Sequence, residues 1–150
     1  MKPIFRWKVV RWILCALLLL VAIQFVPVER LNPPVEAEVP APANVRVILR
    51  RACYDCHSNE TVWPWYSQVA PISWLVIHDV EEGRRALDSS AWEYDPAQRT
   101  KKLREGADEI TEGEMPPWYY RLVHADARLT AAEREALRAW CAAEIAPLGD

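Results

Sequence analysis

Apolar and polar positions divide the chain into three regions. Residues 9–28 are almost continuously apolar, VVRWILCALLLLVAIQFVPV. Trp12 to Val26 alone would make a helix of about 22 Å. With Val9, Val10 and Val28 included, and Arg11 extending its stem to the interface, the run reaches about 30 Å, the thickness of a bilayer core. Residues 27–43, PVERLNPPVEAEVPAPA, hold five prolines and no glycine, which predicts an extended, semi-rigid linker. From Asn44 onward the spacing turns helical. Val45, Ile48, Leu49 and Ala52 recur at i, i+3, i+4 and i+7 behind Asn44 as a candidate N-cap. A second helix is predicted from Pro71, with Ile72, Leu75, Val76, Val80 and Leu87 on its buried face. A third opens at Asp95-Pro96, an N-cap followed by proline at the first helical position, and stops at Gly113. A fourth opens on the capping box Thr130-Ala131-Ala132-Glu133 and buries Leu137, Trp140, Cys141 and Ile145. No segment alternates with the period of a strand. The expected fold is all-α: about four short helices joined by long loops, preceded by one transmembrane helix.

Charge sharpens this division into an anchor over 1–28, a linker over 29–43 and a domain over 44–150. Lys2, Arg6, Lys8 and Arg11 precede the apolar run without an acid among them. By the positive-inside rule that flank stays in the cytoplasm and the domain lies on the far side, in the periplasm. A cleaved signal peptide is the competing reading, but its apolar core would be shorter, and the first Ala-x-Ala is Ala41-Pro42-Ala43, far downstream. From Asn44 on, 13 Lys/Arg face 18 Asp/Glu. An acidic domain of this kind excludes a nucleic-acid binder and suits a basic partner.

The candidate chemistry is concentrated in CYDCHS. Cys53 and Cys56 are three apart, and His57 follows directly. C-x-x-C-H is the attachment spacing of c-type haem. Two thiols one helical turn apart can each bond a vinyl group along one haem edge, which brings the next residue, a histidine, under the iron. Three alternatives are weaker. A Cys53–Cys56 disulfide would close a very small loop. A redox dithiol would need a βαβ setting, and a zinc site would need two further ligands at paired spacing.

A sixth iron ligand is sought next. Met115, in GEMPPWYY, lies 58 residues beyond His57 and is the only methionine besides Met1. Gly113 ends a helix before it, and Pro116-Pro117 fix the chain after it. His78, beside Trp74, Glu81 and Glu82 on the second helix, is the alternative distal ligand. His124 is a weaker one. Arg50, Arg51, Arg84 and Arg85 are candidates to neutralise haem propionates. The run WPWYS, Trp63 to Ser67, reads first as packing against the haem face and second as a propionate or partner site. Cys141 reads as a small buried hydrophobe.

The order helix, C-x-x-C-H, helices, Met-Pro loop, capped terminal helix is similar to class I cytochromes c. The stretches CYDCHSNETVWPWYSQVAPISWLVIHDVEEGRRAL and EGEMPPWYYRLVHADARLT resemble the small bacterial haem-binding domain family, membrane-anchored and c-type cytochrome-like, over roughly residues 44–145. The resemblance implies one haem c covalently held by Cys53 and Cys56 with His57 on the iron. It also implies a histidine at the position of His78 and a Met-Pro pair near Met115. MPPWYY is more aromatic than the family's usual loop. The function expected is electron transfer with redox-protein partners, without a catalytic residue. The alternatives are a haem enzyme or gas or peroxide sensor with an open iron position, and a subunit docked on a larger enzyme through its tryptophans.

Overall fold

A computed structural model describes residues 3–148. Lys2 of the basic flank and Asp150 of the acidic domain lie outside them, as do Met1 and Gly149. The described residues are all-helical: α1 (Pro3–Ala22), α2 (Ala43–Ala52), α3 (Tyr54–His57), α4 (Ile72–Ala86), α5 (Pro96–Glu112), α6 (Trp118–Val123) and α7 (Ala131–Ile145), with short 3-10 turns between and after them. The sole bridge among them is an isolated parallel one, Ala37 to Ala91.

The chain divides into two compact units. One holds the residues up to Arg30 together with Trp63–His78. Its helix α1, continued by the turn Ile23–Phe25, gives an apolar span from Arg6 to Phe25 that is long enough to cross a membrane and has no buried residue. The Gln24 side-chain amide is bonded to Ala70 twice, donating from Nε2 to the carbonyl at 3.0 Å and accepting the backbone N–H at 2.9 Å. Arg30 donates to the Ser67 carbonyl at 3.1 Å.

The other unit, Leu31–Val62 with the chain from Asp79 on, holds the hydrophobic core. α2 buries Val45, Ile48, Leu49 and Ala52, as its spacing requires. It begins one residue before the expected cap: Pro42 precedes it and offers only a carbonyl, to Arg46 N–H. α5 is capped by Asp95, which accepts from Gln98 N–H, carries Pro96 in its first turn, and ends at Gly113, whose φ of 82° only glycine adopts freely. α7 has the full reciprocal capping box of Thr130 and Glu133. α5 packs on α7, and α7 on α2, so the first and last helices of this unit meet. Arg51 of α2 pairs with Glu133 of α7 across that contact. Trp92 packs against Trp140 with ring centroids 6.0 Å apart.

Two expectations change here. The linker over 29–43 is no free spacer along its whole length, because Val39 and Ala41 lie in the core. Glu36, Ala37 and Val39 donate backbone N–H groups to Ser90 and Ser89, and Trp92 donates to Ala37. Extended, proline-rich chain has unpaired backbone groups and can satisfy them edge to edge against another extended segment. The second change is in α4. Of its predicted buried face only Val80 is fully buried and Leu87 packs on the core, whereas Ile72 and Leu75 are 46% and 45% exposed.

Candidate functional site

The site is built on the turn that carries Cys53, Cys56 and His57. Cys53 N–H bonds Leu49 at the end of α2, and the Cys53 carbonyl in turn accepts from Cys56 N–H at 3.2 Å and His57 N–H at 2.9 Å. This is one tight helical turn, α3, with Cys53 as its cap residue. Neither cysteine is in a disulfide. Burial pushes both thiols up to about 12, so they stay protonated. Among the described residues no three His, Cys, Asp or Glu side chains group as a metal site, which leaves the zinc reading without a ligand set.

His57 is fixed by what its ring touches. Nδ1 stands 3.0 Å from the Leu87 carbonyl at the end of α4. A carbonyl only accepts, so Nδ1 carries the proton and Nε2 keeps its lone pair. Burial holds the ring below the usual histidine range, against smaller opposing contributions from the Leu87 and Gly83 backbone. The imidazole is therefore neutral near pH 7, the form that binds a metal.

Sequence reading missed the residues that hold this turn. Gly83 of α4 presses on it: a Cβ there would come 2.5 Å from the Cys56 carbonyl oxygen. Arg84, next on the helix, does not reach outward to an anion. It donates to the Ser58 carbonyl (2.8 Å), the Leu31 carbonyl (2.9 Å), Thr61 Oγ1 (2.9 Å) and Asn32 Oδ1 (3.1 Å). Ser89 N–H donates to the His57 carbonyl at 2.8 Å, and Ser90 Oγ accepts Asn59 N–H at 2.9 Å. A glycine inside EEGRRAL and the paired serines of DSSA were the available signals. The other arginines expected at propionates are also engaged by protein: Arg50 with Glu38 and Glu60 and over the Tyr54 ring, Arg51 with Glu133, and Arg85 with Glu82.

Met115 lies in the same unit, half-buried. Its N–H, with those of Gly113 and Glu114, converges on the Glu109 carbonyl at 3.0–3.3 Å, so the loop is wound against the end of α5. The helix that follows ties it to the cysteine turn. Tyr120 donates to Asp55 Oδ2 at 2.7 Å, and Asp55 is the residue just before Cys56. Tyr119 donates to Asp79 Oδ2 at 3.1 Å. Beside Met115, α6 leaves Trp118, Leu122 and Val123 about two-thirds exposed. His124 stacks on the Tyr120 ring at 4.1 Å. His78 is the last residue of the other unit, and its side chain is exposed. Cys141 is buried, with its thiol pushed up to about 11.

These residues fit haem. They offer a neutral imidazole with a free nitrogen, two protonated thiols one turn apart, a thioether on a braced loop, and an apolar face on α6. No curated protein and no solved structure matches the chain. The sequence model of the haem-binding domain family matches residues 18–143, most of the molecule. The chain belongs to the haem-binding domain family.

Proposed function

We propose that this haem protein is a membrane-anchored c-type cytochrome with one covalent haem, carrying electrons at the outer face of the cytoplasmic membrane. The observation that carries the reading is the His57–Leu87 hydrogen bond, which assigns the proton to Nδ1 and leaves Nε2 to bind iron. Cys53 and Cys56 would hold the group covalently, as thioethers to its two vinyl substituents. Met115 would supply the second protein ligand to the iron, from a loop that Glu109, Tyr119 and Tyr120 brace. Haem bound between histidine and thioether supplies a one-electron Fe(III)/Fe(II) couple at a higher potential than two histidines give. The chain's own part is to fix both ligands, so that little rearranges when the charge changes. Arg6, Lys8 and Arg11, at the N-terminal end of the apolar span, keep the N-terminus in the cytoplasm and the haem unit outside. The acidic domain then suits a redox partner with a basic docking patch.

Visible spectroscopy of the purified protein tests the ligand set. The expected ferric spectrum is low-spin with the weak sulfur-to-iron charge-transfer band, and the ferrous form does not take up CO. Met115→Ala abolishes the band and opens the iron to CO. An unchanged spectrum in Met115→Ala, or ready CO binding by the wild type, overturns the assignment of Met115.

A further inference from the structure

From Thr61 to Ile77 the chain carries no charged residue at all, although 26% of the whole sequence is charged. Within this stretch Trp65 is 78% exposed, and Val69, Ile72, Trp74 and Leu75 are 38–46% exposed. Five large apolar side chains facing out within eleven residues is more than a free surface in water normally carries. Charge returns abruptly inside α4, with Asp79, Glu81, Glu82, Arg84 and Arg85 on the same helix.

The stretch is bonded to the end of the membrane-crossing helix. Gln24 is the penultimate residue of the apolar span Arg6–Phe25. That span of 20 residues is about 30 Å long, the thickness of the hydrocarbon core, so its end lies at the boundary between lipid and water. Both hydrogen-bonding groups of Ala70 are taken by the Gln24 amide, and Arg30 holds Ser67 three residues earlier. Every exposed apolar residue named above is within five positions of Ala70. Tryptophan, with an apolar ring and one N–H, is the side chain most at home at this depth.

We propose that Trp65, Val69, Ile72, Trp74 and Leu75 form a second membrane contact, seated in the headgroup and acyl boundary of the bilayer beside the end of α1. The proposal rests on α1 being a membrane anchor. It makes the anchor and the WPWYS segment one membrane-associated piece instead of a tether with a free domain.

The test uses the full-length haem-loaded protein in vesicles of zwitterionic and anionic phospholipid, doped with a phospholipid bearing a diazirine near its glycerol backbone. After illumination, peptides carrying lipid adducts are identified by mass spectrometry. Adducts are expected in the anchor helix and in the 63–77 peptide, but not in the charged helix α5. The double variant Trp65→Ser, Trp74→Ser should lose the 63–77 adducts and keep those on the anchor. Adducts confined to the anchor overturn the second contact and leave the anchor standing. Adducts at equal yield on α5, or 63–77 adducts undiminished in the double variant, overturn it as well. Absence of adducts from Arg6–Phe25 overturns the anchor reading and this proposal together.

Discussion

At Gly83 a single hydrogen stands where any side chain would strike the Cys56 carbonyl. Alanine gains about 1 kcal/mol of helix preference over glycine, but overpacking against fixed backbone costs about 1–3 kcal/mol. The neighbour 2.5 Å away is a carbonyl oxygen, not the end of a flexible side chain, so the clash dominates. Gly83→Ala should lower unfolding stability by up to about 2 kcal/mol, read from denaturant midpoints; a stabilised variant would show that α4 does not press on the cysteine turn. Tyr120→Phe removes a 2.7 Å bond to the Asp55 carboxylate, a charge-assisted type worth about 1.5–3 kcal/mol. It should weaken the sulfur-to-iron band without detaching haem, whereas a full-strength band would show that the Met115 loop is held by other means. Tyr119 gives a pH dependence. Burial first, then the Asp79 charge and hydrogen bond, push its phenol up to about 12, against about 10 unfolded. The unfolded state gives up this proton first, so the contribution is complete below pH 10 and lost as pH rises toward 12. Tyr119→Phe should flatten the fall in stability over that window; an equally steep fall in the variant would assign it elsewhere. Cys53, Cys56 and His57 were legible in the sequence because their chemistry fixes a local spacing. Asp55, Gly83, Leu87 and Tyr120 were not, since each acts on a partner about 30 to 65 positions away, and local periodicity carries no such pairing.

Helices α5 and α7 announce themselves because their ends are chemical. Asp95 with Pro96, Gly113, and Thr130 with Glu133 satisfy terminal backbone groups in ways a sequence displays directly. Thr130→Ala should cost about 1 kcal/mol, visible as a lowered thermal midpoint of the whole unit because α7 packs on both α2 and α5; an unshifted midpoint would mean that the box is not what fixes this helix start. α4 was harder to read. Its apolar spacing predicted one buried face, but Ile72 and Leu75 face outward while Val80 and Leu87 face the protein. Periodicity reports which residues avoid water and does not say whether protein, porphyrin or lipid takes its place. The proline-rich stretch was misjudged for a related reason. Val39 and Ala41 alternate in extended chain, and only the partner segment Ser89–Trp92 shows that they are inside.

At the scale of the molecule, the chain gives an N-terminal helix long and apolar enough to cross a membrane, with an uncharged segment bonded to its end, and an acidic helical unit that carries C-x-x-C-H and a Met-Pro loop. The family match establishes a haem protein. Covalent bonds from Cys53 and Cys56, as proposed, would make that a c-type cytochrome, and the electron-transfer proposal depends on them. The most direct measurement is made on protein expressed in a host competent for cytochrome c maturation. The protein is denatured and extracted with acidified acetone, and the pellet is assayed as its pyridine haemochrome. The account predicts that the pigment stays with the polypeptide, at one haem per chain, and is lost in a Cys53→Ser, Cys56→Ser double variant. Pigment that passes entirely into the acetone, or a chain that is colourless to begin with, would contradict it.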